Sequence, residues 1–262
     1  MRRKELSVHE STVTLADRVW QSFREGNVSS KLWNRAKWEL EYRLFHLREL
    51  EFVGAHDIGE IIHDEICLPP FYANHPHDDI TPLFSILRTM EPQLVVELGT
   101  AHGNLTANIC RATDARVVTV NALAEQMTGH WVTFALSREE IGRVYRKHGF
   151  EKRVTQVYED TLTLDLGKYL APFSVDLGII DACHDLDYVV NDFEKVAPFI
   201  RPSGVILLHD THPAISREMG GSYRACMRLR RHGWNIRHIQ GTWWGIWVRG
   251  GLAKSKVRPL FT

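Results

Sequence analysis

The sequence predicts a doubly wound α/β fold, in which a mostly parallel sheet ends in one antiparallel hairpin. From residue 91 onward, short apolar runs of strand length alternate with helical segments. Most residues of these runs are apolar, without a regular alternation with polar residues, which is typical of parallel strands covered on both faces. The last two runs, 234–239 and 243–248, lie too close together for a crossover helix. They must therefore pair antiparallel.

The individual elements follow from the length and periodicity of the apolar runs. Short continuous runs predict the strands that precede the hairpin, at 94–98, 117–120, 154–157, 175–180 and 204–208. Apolar residues that recur every three to four positions predict the flanking helices, at 80–90, 105–113, 137–148, 189–200 and 222–232. Because no repeat or low-complexity stretch interrupts this alternation, residues 71–262 are predicted to form one domain.

The first 70 residues are predicted to form a separate helical extension. Two segments, Thr12–Arg24 and Ser30–Phe52, carry apolar residues at helical spacing. Such helices can cover a cleft, extend the core or form the contact of a homo-oligomer. The sequence leaves these three roles open.

Composition and charge argue against several classes of protein. Lys and Arg total 32, as do Asp and Glu, so no global field favours nucleic acid or an anionic membrane. The densest basic run, Arg224–Arg231, is interpreted as the solvated face of a helix. Four cysteines without a Cys-x-x-Cys pair argue against a thiolate zinc site and a disulfide scaffold. Because no apolar run is long enough to span a bilayer, a cytoplasmic protein is expected.

The first predicted strand ends in an acidic turn that contains two glycines, Glu97-Leu-Gly99-Thr100-Ala-His-Gly103. Glycines let a backbone turn sharply and approach a ligand closely, and the helix that follows offers unpaired N–H groups. A dinucleotide fold requires Gly-x-Gly-x-x-Gly around a pyrophosphate, which a carboxylate at this point would repel. The same carboxylate can pair with a cationic ligand. S-adenosylmethionine (SAM) carries both a sulfonium and an ammonium group.

At these residues the chain resembles the class I SAM-dependent methyltransferases, which have a Rossmann-like fold. The resemblance implies that the methionine end of SAM is lined by Glu97, Gly99, Thr100 and Gly103. In that family an acidic residue usually ends the second strand and binds the ribose hydroxyls. This chain has Asn121 there, which forfeits a charge-assisted hydrogen bond unless Glu125 substitutes. Asp160, after the third strand, is expected near the adenine.

Polar side chains also follow the fourth and fifth predicted strands. Asp181 and His184 come after the fourth strand, and His209 and Asp210 come after the fifth. Because ligand crevices lie at the carboxyl ends of parallel strands, these side chains are expected to converge on the edge that holds Glu97. Carboxylates and imidazoles together can surround a divalent cation.

This spacing resembles the metal-dependent O-methyltransferases of the catechol type and those that act on the sugars of natural products. The resemblance implies that Asp181, His209 and Asp210 bind Mg²⁺ or Mn²⁺, that Asp181 also contacts SAM, and that His184 is the catalytic base. His209 stands where the family has a carboxylate. Three alternatives therefore stay open: an ion that tolerates imidazole, binding by the two carboxylates alone, or no metal, with Asp210 orienting His184.

The function predicted for residues 71–262 is metal-assisted, SAM-dependent O-methylation of a small-molecule hydroxyl. A bound cation would lower the pKa of that hydroxyl, while His184 would accept its proton. The alternatives are a metal-independent methyltransferase with His184 or His212 as base, and a non-catalytic methyltransferase-like module. A nicotinamide-dependent oxidoreductase is disfavoured by the glycine spacing and by the missing acid at Asn121.

Overall fold

The computed structural model describes residues 49–50, 61–62, 80–127, 135–211, 221–240 and 242–251. The chain divides into two compact units, residues 1–46 and 47–262, and every described residue belongs to the second. The predicted helix Thr12–Arg24 and most of Ser30–Phe52 lie outside the described residues. The domain boundary predicted at residue 70 also falls outside them, so it stays a prediction.

Strands and helices alternate along the described chain. The strands are β1 (Glu49–Leu50), β2 (Leu94–Leu98), β3 (Arg116–Val120), β4 (Val154–Val157), β5 (Val175–Ile180), β6 (Ile200–Leu208), β7 (Arg237–Ile239) and β8 (Gly245–Val248). The helices are α1 (Ile80–Met90), α2 (Asn104–Ala112), α3 (Arg143–Lys147), α4 (Leu186–Val196) and α5 (Ser222–Arg231).

These strands form one sheet in the order β1-β7-β8-β6-β5-β2-β3-β4. Neighbouring strands are parallel except at β8, which runs antiparallel to both β6 and β7. The predicted fold class, a mostly parallel sheet with an antiparallel C-terminal hairpin, is confirmed.

Helices cover both faces of the sheet. On one face, Phe84 and Leu87 of α1 and Ile109 of α2 belong to a single buried core with apolar residues of the central strands. On the other face α4 lies so close to β5 that a Cβ on Gly178 would be 2.7 Å from Cγ1 of Val196. Strands that are apolar on both sides require this double cover. No helix in the described part of the chain is long and apolar enough to cross a bilayer.

Several predicted boundaries are wrong, each for a local or long-range reason. The helix predicted over 137–148 is an α-helix only over α3, because the preceding residues form turns and Gly142 takes the left-handed φ of 74°. The helix predicted to reach residue 200 ends at Val196, and a single 3₁₀ turn containing Pro198 leads into β6. Residues 49–50, predicted as helix, pair with β7 instead, a long-range contact that local periodicity does not reveal.

A buried carboxylate ties the amino-terminal ends of three neighbouring strands together. Asp176 in β5 is 1% exposed, and one of its oxygens accepts hydrogen bonds from the backbone N–H groups of Gln93 (2.8 Å) and Leu94 (2.9 Å). Its other oxygen lies 2.6 Å from Nε of Arg201 in β6. The carboxylate is therefore paired with a cation and bonded to the backbone at the start of β2.

Replacing Asp176 with Ala is expected to lower the free energy of unfolding by about 2–4 kcal/mol, because two backbone N–H groups and one guanidinium lose their partner. Chemical denaturation monitored by circular dichroism measures this change. Asp114→Ala is the matched control, since the Asp114 side chain is fully exposed and lies 4.0 Å from Arg153. An equal, small effect of both substitutions would contradict the structural role of Asp176.

Candidate active site

The predicted site residues lie at the carboxyl edge of the sheet, where neighbouring strands end side by side. Backbone hydrogen bonds continue the sheet just past the strand ends. The N–H of Asp181 donates to the carbonyl of Leu98 (2.8 Å), and the N–H of His209 donates to that of Ile180 (3.0 Å). The parallel register of β2, β5 and β6 therefore brings the glycine turn and the His–Asp residues to one edge, as predicted from the order of the elements.

The turn after β2 needs its glycines for two separate close approaches. Gly99 has a φ of 106°, and a Cβ built on it would lie 2.0 Å from the carbonyl oxygen of Asp181. Gly103 has a φ of 80°, and its Cβ would lie 2.7 Å from Cα of Gly142. A side chain at either position would push apart the backbone segments that surround the turn.

Glu97 lies beneath this turn, in the interior of the protein. Its side chain is 0% exposed, and its Oε2 accepts hydrogen bonds from the hydroxyls of Thr106 in α2 and Thr119 in β3, both at 2.5 Å. Burial raises the pKa of the Glu97 carboxyl from 4.5 to about 7, and the two hydroxyls only partly offset this effect. The hydrogen bonds of Oε2 are thus made within the protein, and the predicted contact between Glu97 and SAM stays a prediction.

Thr100 and Asn121 also make internal contacts around the turn. The hydroxyl of Thr100 lies 2.7 Å from that of Thr119, and the residue is 2% exposed. Asn121 Oδ1 accepts the backbone N–H of Ala101 (2.9 Å), and its Nδ2 donates to the carbonyl of Ala122 (2.7 Å). The side chain of Asn121 thus fastens the glycine turn to the end of β3, a role that sequence reasoning missed.

Asp160 is held in the loop after β4. Its Oδ1 accepts the N–H of Leu162 (2.8 Å), and its Oδ2 accepts the hydroxyl of Tyr188 in α4 (3.1 Å). Lys195, also in α4, donates to three backbone carbonyls of the same loop at 2.7–2.9 Å. Two residues of α4 that the sequence did not single out therefore hold the loop in which Asp160 lies.

The four residues predicted to form the second cluster do come together. His209 Nδ1 lies 3.0 Å from Asp181 Oδ1 and 3.3 Å from Asp210 Oδ1. His184 Nδ1 lies 3.3 Å from the other oxygen of Asp210. Asp210 is 4% exposed and has a positive φ of 55°, so its backbone is held in a conformation that few side-chain-bearing residues adopt. Asp210 therefore bridges the two histidines.

The start of α5 supports His184. Ser222, the first residue of that helix, places its Oγ 3.2 Å from Nδ1 of His184. Gly221 permits this approach, since a Cβ there would lie 1.8 Å from the backbone carbonyl oxygen of His184. Because Ser222 and Asp210 contact the same nitrogen, the three residues lack the geometry of a Ser–His–Asp nucleophile, in which serine contacts Nε2. Sequence reasoning missed Ser222, whose one local signal is its place at a predicted helix start.

The donors predicted to bind a divalent cation are paired with one another. The imidazole Nδ1 of His209 contacts both carboxylates directly, and no group of three or more His, Cys, Asp or Glu side chains among the described residues is arranged to hold a metal ion. Burial raises the pKa of the neighbouring Cys183 thiol to about 11, so without a metal this thiol is protonated near neutral pH. As placed, Asp181, His209 and Asp210 do not fit a cation.

Residues 96–211 match the family model described as a methyltransferase domain. This stretch begins within β2 and ends just after β6, so it includes both the glycine turn and the His–Asp cluster. The match therefore makes this stretch similar to a methyltransferase domain. The matched stretch combines the glycine turn with histidine and carboxylate side chains at the same edge of the sheet.

Several solved methyltransferase structures are similar to this chain. The O-methyltransferase TomG of Streptomyces achromogenes, involved in tomaymycin synthesis and solved with SAM, is 17% identical, with a TM-score of 0.47 over 63% of this chain and 77% of that one. The O-methyltransferase of Bacillus cereus, solved with SAH, is 18% identical, with a TM-score of 0.46 over 68% and 85%. A methyltransferase of Geobacter sulfurreducens is 19% identical, with a TM-score of 0.46 over 69% and 85%. No curated protein matches the sequence significantly.

The raised pKa of Glu97 predicts a pH-dependent stability. Between about pH 4.5 and 7 the folded protein keeps a proton that the unfolded chain has released, so this group lowers the stability as the pH rises. Glu97→Gln is therefore expected to gain stability relative to the wild type between pH 5 and 8, by on the order of 2–3 kcal/mol. Denaturation at several pH values measures the difference in stability between Glu97→Gln and the wild type. Burial also raises the pKa of Asp192 to about 7, but both proteins contain Asp192, so its contribution cancels in the difference.

The exposed Glu151 provides the control for that experiment. Glu151→Gln is expected to follow the pH profile of the wild type. A Glu97→Gln profile that runs parallel to the wild type over the whole range would show that the buried carboxyl does not retain its proton.

Proposed function

We propose that the methyltransferase domain transfers the methyl group of SAM to a hydroxyl oxygen of a small molecule, with His184 as the base that accepts the hydroxyl proton. The observation that carries this proposal is the contact of 3.3 Å between His184 Nδ1 and Asp210 Oδ2. It lies at the sheet edge that also holds the glycine turn. A base and a cofactor turn thus lie at the same edge of the sheet.

The glycine turn fits the methionine end of SAM. Gly99 and Gly103 have φ angles of 106° and 80°, and Gly99 is partly exposed whereas Gly103 is buried. No side chain caps the amino end of α2, so that end can favour the SAM carboxylate. SAM supplies an electrophilic methyl group on a positively charged sulfur. The cofactor-binding residues we propose are Glu97, Gly99, Thr100, Gly103, Asn121, Asp160 and Asp181.

Asp210 selects the nitrogen of His184 that acts as the base. An ionised carboxylate accepts hydrogen bonds and does not donate them, so Nδ1 carries the proton and Nε2 keeps its lone pair. Nε2 accepts the proton of the substrate hydroxyl as its oxygen attacks the methyl carbon. The negative charge of Asp210 stabilises the imidazolium that results, and Ser222 restrains the ring from a second side. A base positioned in this way contributes roughly 10²–10⁴-fold to the rate.

The presence of a base favours oxygen over nitrogen as the methylated atom. A hydroxyl is a weak nucleophile until its proton is removed, whereas a neutral amine attacks with its own lone pair. His212, the alternative base, lies outside the described residues. The other alternative, a non-catalytic module, does not require the contacts of His184 Nδ1 with Asp210 and Ser222 at the edge that holds the glycine turn.

Replacing His184 with Gln is expected to lower kcat by 10²-fold or more and to leave the Kd for SAM within twofold, because the base is lost while the glycine turn is intact. Transfer of labelled methyl groups to a panel of phenolic and sugar hydroxyls measures kcat, and titration calorimetry measures Kd. Asp210→Asn is expected to lower kcat less. The exposed His232, replaced with Gln, is the matched control.

The two parts of the proposal fail in different ways. Equal kcat values for the His184 and His232 variants would remove His184 from the reaction and leave the methyltransferase assignment in place. Wild-type protein that binds no SAM under any condition would contradict the whole proposal.

A second candidate is the metal-assisted reaction, in which Asp181, His209 and Asp210 hold Mg²⁺ or Mn²⁺. The observation in its favour is that both carboxylates lie within 3.0–3.3 Å of one imidazole nitrogen, so the three predicted ligands are close together. As they lie, these donors contact one another, so in the main proposal proton transfer depends on His184 and Asp210 alone.

Removal of divalent cations distinguishes the two routes. Because His184 and Asp210 suffice in the main proposal, EDTA is expected to change kcat less than twofold, and added Mg²⁺ or Mn²⁺ is expected to have no further effect. The same assay with SAM at saturating concentration provides the measurement. A loss of more than tenfold in EDTA, restored by Mn²⁺ or Mg²⁺, would replace the main proposal with the metal-assisted one.

Other expectations depend on composition or on residues that are not described. They are a small-molecule substrate without nucleic-acid or membrane partners, a cytoplasmic location, and a homo-oligomer formed through helices in residues 1–70. These stay predictions.

A further inference from the structure

The short helix α3 lies directly behind the glycine turn, although no sequence motif connects the two. The backbone N–H of Gly142 donates to the carbonyl of Ala101 (2.9 Å), and the N–H of Val144 donates to that of His102 (2.9 Å). These are the two residues between Thr100 and Gly103 in the turn. Two consecutive carbonyls of the turn are therefore held by the amino end of α3.

A side chain of α3 reaches the same turn through a chain of hydrogen bonds. The hydroxyl of Tyr145 donates to Oε1 of Gln156 in β4 (3.2 Å), and Nε2 of Gln156 donates to Oγ1 of Thr100 (2.9 Å). The Thr100 hydroxyl in turn lies 2.7 Å from that of Thr119. Tyr145 and Thr100, at the two ends of this chain, are 3% and 2% exposed, and Gln156 between them is partly exposed. The turn is thus held at Thr100 as well as at the two residues that follow.

Gly142 is the residue on which both supports depend. It has a φ of 74°, and a Cβ built on it would lie 2.3 Å from Cε1 and 2.9 Å from the hydroxyl oxygen of Tyr145. Any side chain at this position must displace the Tyr145 ring. Gly142 also lies against Gly103, since a Cβ built on Gly103 would be 2.7 Å from Cα of Gly142. The backbone of Gly142 therefore cannot move away without disturbing the turn.

We propose that Gly142 and Tyr145 are positioning residues for SAM, which set the shape of the glycine turn from behind. Their effect on the cofactor is transmitted through Ala101, His102 and Thr100. This inference rests on the proposed binding of SAM by the glycine turn. Residues of α3 and its amino end thereby contribute to the affinity for SAM, whereas the reaction at His184 does not depend on them.

The test compares two glycines that flank the same helix. Gly149 has a φ of 76°, close to the 74° of Gly142, but a Cβ there meets no atom within 4 Å. Alanine therefore imposes the same backbone strain at both positions and a collision only at Gly142. Gly142→Ala is expected to raise the Kd for SAM tenfold or more, and Gly149→Ala is expected to leave it within twofold. Titration calorimetry well below the Tm of each variant provides the measurement.

Tyr145→Phe is the second variant, because it removes one hydroxyl and keeps the ring. It is expected to raise the Kd and the KM for SAM between about three- and tenfold, the range that one hydrogen bond contributes. The kcat at saturating SAM is expected to stay within twofold, a separation that general loss of folded protein would not produce. If Gly142→Ala fails to fold, Tyr145→Phe and Gly149→Ala still carry the test.

The outcomes separate this inference from the proposed function. One outcome would overturn the inference and leave the methyltransferase proposal standing. In it the wild type binds SAM, and Gly142→Ala and Tyr145→Phe bind SAM as tightly as Gly149→Ala does. A fall in kcat for Tyr145→Phe without a change in Kd would also overturn it. Wild-type protein that does not bind SAM would overturn both.

Discussion

Gly99 and the backbone of Asp181 meet at the ends of β2 and β5, so closely that a Cβ on Gly99 would lie 2.0 Å from the Asp181 carbonyl oxygen. The N–H of Asp181 also donates to the carbonyl of Leu98, just before Gly99. The glycine turn and the first residue of the His–Asp cluster are therefore built on one rigid backbone contact. Since the cluster continues across β6 at His209 and Asp210, the position of the proposed base relative to the cofactor is determined by the sheet.

Two buried carboxyl groups lie at opposite ends of this sheet in different surroundings. Asp176 is compensated by the charge of Arg201 and by two backbone N–H groups. Glu97 is bonded to the hydroxyls of Thr106 and Thr119, which stabilise an ionised carboxylate less than a cation does, and its pKa is raised to about 7. The first arrangement favours stability alone. Glu97, with its raised pKa, lies directly beneath the turn that is proposed to bind the sulfonium end of SAM.

The His–Asp cluster depends on elements that are distant in the sequence. His209 stacks on Trp243, with ring planes 15° apart and centroids 6.2 Å apart, and its ring centroid lies 4.5 Å from that of Trp244. His184 is restrained by Ser222 at the start of α5. Asp210, between the two histidines, keeps a strained backbone, which persists only where surrounding structure holds it. The C-terminal hairpin and α5 therefore orient a cluster whose residues belong to β5 and β6.

The sequence by itself determined the fold class and the edge at which the site lies. The strands 94–98 and 175–180 could be predicted with their observed bounds, because mostly apolar runs mark strands buried on both faces. The strand 154–157 could also be predicted with its observed bounds, although Thr155 and Gln156 are polar. Parallel order then brings Asp181, His184, His209 and Asp210 together. Only the tertiary structure decided what each side chain contacts: that Asn121 fastens the turn, that Ser222 supports His184, and that α3 lies behind Gly103. These contacts join residues far apart in the chain through close approaches of backbone, which neither residue type nor local periodicity records.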